Sequence, residues 1–131
     1  MRGSMKAYKS VALDSQKTVA SPYKVVQMLL AGALERLARA RSAMEQSKRA
    51  EQGELLGSAM TIVAELRAAL DHQEGGDISA NLDNLYEFMM AELVVANSEN
   101  SIEKLESISA LLREIKEAWD AIPVEQQQVP A

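Results

Sequence analysis

Apolar residues recur every third or fourth position along most of this chain, the spacing of one buried helix face. The cleanest run is Leu105, Ile108, Leu112, Ile115, Trp119 and Ile122, spaced 3-4-3-4-3 and ended by Pro123. Three earlier runs share the period. Helix one opens at Ser21-Pro22, where serine can cap free amides and proline fits the first turn, and runs to about Gln46. Its seam is Val26, Leu29, Ala33, Leu37, Ala40 and Met44. The first turn falls in Ser47–Gly53, and helix two follows to about Gln73 with Leu55, Leu56, Ala59, Ile62, Val63, Leu66, Ala69 and Leu70 on one broad face. Gly75-Gly76 breaks the run, and Asp77 is placed to cap helix three, which carries Ile78, Leu82, Leu85, Met89, Leu93 and Ala96. Asn97–Asn100 makes the third turn, with Asn100 and Glu103 at capping-box spacing before helix four.

Short turns between long helices make sequential neighbours antiparallel. The pattern therefore predicts an all-α, antiparallel up-down-up-down four-helix bundle over residues 21–122. A flexible N-terminal arm over 1–20 precedes it, and a disordered Gln-rich tail over 123–131 follows.

Two stretches carry more apolar surface than a bundle seam uses. Val25 to Leu34 is apolar on nearly every side, with Gln27 the one polar side chain, yet it is too short to cross a membrane. Outside the helix-one seam stand Val25, Met28, Leu30 and Leu34; outside that of helix three stand Tyr86, Phe88, Met90, Val94 and Val95. A wide core facing two neighbours would absorb them. The alternative is a greasy groove for a partner segment in the helix-in-groove manner. Seven methionines favour it, because thioethers adapt to irregular surfaces. In the arm, Met5, Tyr8 and Val11 share one side if residues 5–13 turn helical, so the arm could lie over an empty groove.

Composition narrows the function classes. With 131 residues and 47% hydrophobic positions the chain can bury a core without staples, and it has no cysteine for disulfide or thiolate chemistry. A net charge of −5 argues against general affinity for nucleic acid or anionic lipid, and no apolar leader opens residues 1–20. The single histidine, His72, is read near the end of helix two. It leaves no Glu-x-x-His pair for a di-iron bundle. A phosphotransfer role for His72 is disfavoured by the Gln73-Glu74-Gly75-Gly76 that follows it. No catalytic residue, metal ligand or cofactor site is assigned. The arginines at 36, 39 and 41, with Lys48 and Arg49, are interrupted by Glu35 and Glu45 and read as a solvated face.

Four segments, in order and spacing, carry a family likeness: Met5-Lys6-Ala7-Tyr8; Ser21 through Leu29; Asn81-Leu82-Asp83-Asn84-Leu85-Tyr86-Glu87-Phe88-Met89 with Ala96-Asn97; and Leu112 through Trp119. Over roughly residues 5–122 the chain resembles the flagellin-specific export chaperones of bacteria, the FliS family. Where many members have Tyr-Asp-Gly-Ala, this chain has Leu30-Ala31-Gly32-Ala33, and Tyr23 stands where relatives often have His. The resemblance implies a non-enzymatic chaperone of the bacterial cytosol. Its partners would be the disordered C-terminal segment of flagellin and a component of the flagellar type III export gate, with Met5 and Tyr8 bearing on client or gate contact. A bundle that self-associates through its spare apolar faces, as a weak homodimer without client, is the competing reading.

Overall fold

A computed structural model describes residues 21–127, and these form four α-helices with no strand among the described residues. The expected arm, with Met5 and Tyr8, lies outside the described residues. Helix α1 spans Pro22–Glu45; its first turn is held by Ser21, whose hydroxyl accepts from the Lys24 amide at 3.1 Å. Helix α2 spans Arg49–Ala68, after a turn in which Ser47 takes a left-handed φ of 57°. Helix α3 spans His72–Glu99 and helix α4 Ile102–Asp120.

The start of α3 differs from the sequence reading. Asp71, not Asp77, caps it, its carboxylate accepting from the amides of Gln73 and Glu74. One turn later Gly76 departs from helical geometry at φ 51°, ψ −123°, and the helix kinks there. A Cβ on Gly76 would be strained by its positive φ, and one on Gly75 would displace the Ser79 hydroxyl. That hydroxyl donates to the Asp71 carbonyl at 2.9 Å and so ties the kink shut. His72 therefore opens α3 instead of closing α2. At the next turn, Asn100 adopts the left-handed conformation that ends α3, and Ser101, one residue on, caps α4 through the Lys104 amide. Past Pro123, where the expected disordered tail begins, the chain makes a 3-10 turn over Val124–Gln126.

Helix packing follows a square: α1 meets α2 and α4, and α3 meets α2 and α4. Helices α1 and α3 thus stand on a diagonal. Leu37, Leu56, Val63, Met89, Leu93, Leu105 and Leu112 fill the centre and are sealed from solvent. Burying such side chains contributes about 1.5–3 kcal/mol each before entropy is counted. Polar ties fix the register. Arg67 on α2 donates to Asp83 on α3 at 2.6 Å, and Arg41 on α1 donates to Glu106 on α4 at 2.7 Å. At the far end of α3, Gln52 is fully buried, its amide nitrogen donating to the side-chain oxygens of Asn97 and Asn100, each at 2.9 Å.

Candidate functional site: two clefts and an end cavity

Position 32 governs the first cleft. Its Gly leaves open the space in which a Cβ would approach the Ile62 δ-methyl at an ordinary 3.5 Å. Met28, one turn earlier, is left 48% exposed beside that space. Together Met28, Leu29, Gly32 and Ile62 floor a cleft of about 310 Å³ between α1 and α2, with Arg36, Ser58, Thr61 and Glu65 on its walls. Arg36 is steadied there by donating to Ser58 at 3.2 Å and to Glu35 at 2.8 Å.

A second cleft of about 470 Å³ lies between the C-terminal half of α3 and the N-terminal half of α4. Its apolar members are Phe88, 50% exposed, and Ile108; Glu92, Glu99 and Glu103 give it an acidic rim. A third hollow of about 180 Å³ sits at the kinked end of α3, with Tyr86, Ile115 and Trp119 among its walls.

The spare apolar residues fall into three groups. Met28, Phe88 and Val94 stand exposed; Val25, Leu34 and Met90 are half-buried against the core. Leu30 and Tyr86 are corrections. Leu30 is fully sealed and Tyr86 is 2% exposed, so both belong to the core and not to an open surface. The reason is that α1 and α3 each face two neighbours, which widens the buried stripe. Burial also pushes the Tyr86 hydroxyl up to about pKa 12, so it is a neutral donor at any physiological pH.

No single groove joins the spare faces, because α1 and α3 stand on a diagonal and their backbones do not approach each other. Phe88 and Val94 are themselves split: six positions apart, they point roughly 120° apart around α3. The surface on the first cleft depends on Gly32, Thr61 and Ile62, which the sequence reading did not single out for binding. Ile62 carried the available signal, as an apolar residue at the edge of the broad face of α2. Among the described residues no cluster of acidic and histidine side chains is placed to hold a metal, and no helix is long and apolar enough to cross a membrane.

The described residues define an all-α four-helix bundle with two clefts on its flanks. Comparison with known proteins gives its family. The family described as Flagellar protein FliS matches residues 4–127. The flagellar secretion chaperone FliS of Vibrio cholerae is 48% identical over 131 residues, covering 100% of this chain and 96% of that protein. The flagellar secretion chaperone FliSB of Pseudomonas aeruginosa is 48% identical over 118 residues, 90% of this chain and 94% of that one. The FliS of Salmonella typhimurium is 40% identical over 119 residues, 90% and 88%. The chain belongs to the FliS family of flagellar proteins.

The family segments acquire physical roles in this fold. Asp83 pairs with Arg67, Tyr86 and Met89 enter the core, and Asn97 takes the amide of buried Gln52. Trp119 stacks on Tyr23 with ring centres 5.4 Å apart, and its indole N–H donates to the Tyr23 carbonyl at 3.0 Å.

Proposed function

We propose that this protein is an export chaperone for flagellin, which holds the disordered C-terminal segment of its client in the cytosol and helps pass it to the flagellar type III export gate. The observation that carries the reading is the pair of half-exposed apolar side chains, Met28 and Phe88, each set in a cleft of a chain that belongs to the FliS family. A disordered client pays ordering entropy on binding, and it recovers that cost only over a long surface. Clefts on two sides of the bundle suit a segment that wraps around it, with a total interface of about 2,000 Å². Covering the segment keeps it from premature polymerisation. Residues 1–20, with Met5 and Tyr8, would shield the apolar surface until client arrives. The reading assigns no reaction and no cofactor to the chain.

Titration calorimetry of the full chain with the C-terminal segment of flagellin from the same organism tests this. The expected result is saturable binding with a large negative heat-capacity change and weak salt dependence. No binding, with a dimer in sedimentation that the segment leaves unchanged, would favour the self-associating bundle.

A further inference from the structure

The α1/α2 cleft carries one charged group at each end. The hydrogen bond from Arg36 to Ser58 sets those two residues level, and Gly32 faces the Ile62 δ-methyl, so along these antiparallel helices Met28 stands level with Glu65. Arg36 and Glu65 therefore close opposite ends of an apolar floor. The step from Ser58 to Glu65 along α2 puts them about 10 Å apart on the cleft axis.

The two charges are held differently. Arg36 is fixed: its Nε donates to Ser58 at 3.2 Å and its Nη1 to Glu35 at 2.8 Å, while Nη2 has no partner among the described residues. Glu35 also takes Arg39, so two guanidinium groups share one carboxylate and that end keeps a net positive charge. Glu65 is half-buried, and among the described residues no cation or hydrogen-bond donor reaches its carboxylate. Its neighbours one helical turn away, Thr61, Ile62, Ala68 and Ala69, are uncharged, and Arg67 is turned to Asp83 and Glu87 on α3. A chain laid over the cleft strips water from the Glu65 carboxylate, and covering a charge without a partner is costly. The covering chain must therefore bring a cation to Glu65, and a carboxylate that meets the spare Arg36 donor gains a charge-assisted hydrogen bond.

We propose that Glu65 and Arg36 read the charge pattern of the client segment: a lysine or arginine of the client pairs with Glu65, and a client carboxylate on the same helical face pairs with Arg36. The assignment rests on the reading of the chain as a flagellin-segment chaperone. In a helix taken up by the cleft, positions about seven apart share one face and span about 10 Å, the separation of the two charges. The pattern sets where along the cleft the segment stops. A slip of one turn keeps apolar side chains on the floor but strands both charges, which penalises the wrong register and any client that lacks the pair. Both pairs are covered in the complex, so salt screens them little.

The test uses the full chain and C-terminal flagellin segments in which each charged residue is reversed in turn. Glu65→Lys and Arg36→Glu should each weaken binding of the natural segment roughly tenfold or more, and Glu65→Gln about threefold. Helicity should be retained in the Glu65 variants, whose carboxylate has no partner to lose. One reversed basic residue in the segment should weaken binding to the unmodified chain and restore binding to Glu65→Lys within about twofold; one reversed acidic residue should do the same for Arg36→Glu. Should Arg36→Glu not fold, the Glu65 arm decides. Natural-segment binding that ignores both substitutions, or losses that no reversed segment restores, would overturn the charge pairing and leave the chaperone reading standing. No binding of the segment to the unmodified chain would sink both.

Discussion

The two flanks of α1 are built from the same helix and end in opposite states. Toward α4 the flank is closed. Tyr23 and Trp119 stack, the indole donates to the Tyr23 carbonyl, and Gln27 reaches Asp120 at 2.8 Å, which Lys116 also grips at 2.6 Å. Arg41 and Glu106 fasten the other end. Toward α2 the flank carries no side chain at Gly32, and the space beside Met28 stays open. Large aromatic groups fill one interface, while the missing side chain at Gly32 leaves space unfilled at the other. Spare apolar surface on a helix is thus open to a partner only on the flank that its neighbour fails to cover.

Charging the open flank, or the second cleft at Phe88, should produce the largest effect. Met28→Glu and Phe88→Glu should each reduce segment affinity at least about a hundredfold, because an unpaired carboxylate would be desolvated in the complex. Circular dichroism should show unchanged helicity, since both side chains are half exposed. Met90→Glu would be a poor probe, because Met90 packs against the core.

Breaking the closed flank should act on stability first. Trp119→Ala removes a half-buried ring and its hydrogen bond, and should cost about 2–3 kcal/mol in urea unfolding. A loss in segment affinity comparable to that of Met28→Glu, with the fold retained, would erase the distinction between the flanks.

Acid should loosen the same polar ties. The Lys116 ammonium, then the Gln27 amide, hold Asp120 below the ordinary carboxylate value of 3.8, and Arg67 holds Asp83 below it in the same way. A lowered folded pKa contributes stability above the unfolded value and loses it as pH falls through the folded one. Thermal melts should therefore fall below about pH 3.8, and Asp83→Asn with Asp120→Asn should flatten that limb. Tyr86 acts at the opposite extreme. Its raised pKa contributes stability that is full below pH 10 and lost as pH climbs toward about 12, a loss that Tyr86→Phe should abolish.

The smallest effect is the sharpest. Gly32→Ala meets Ile62 at an ordinary 3.5 Å, so it should raise stability by up to about 1 kcal/mol through helix propensity. The added methyl should also shallow the cleft and weaken segment binding a few-fold. Opposite signs in melting and in calorimetry would mark Gly32 as kept for binding and not for folding.

Period and capping chemistry made much of the fold legible. The Ser21-Pro22 start and the α4 seam are local signals, each read from a few neighbours in sequence, whereas Gly75-Gly76 marked a kink inside α3 and not the turn that follows Ala68. Local signals also slipped by small steps. Asn100 and Ser101 compete for one turn, and only the left-handed backbone at Asn100 shows that Ser101 takes the cap. The candidate site was less legible because it depends on which helices are neighbours. Periodicity does not say that α1 and α3 are diagonal, so their spare faces read as one groove. Nor does it say how wide each buried stripe is, and Leu30 and Tyr86 fell inside it. Gln52 looks like any surface glutamine until Asn97 and Asn100 arrive from α3 to receive it.

The most direct test of the open flank is methyl NMR of the full chain, with labelled methionine and isoleucine, during titration with the C-terminal flagellin segment. The Met28 and Ile62 methyls should shift together and saturate at the calorimetric stoichiometry, while Ile102, on α4 and outside both clefts and the end hollow, stays in place. Saturable binding of the segment with the Met28 and Ile62 signals unmoved would contradict the account.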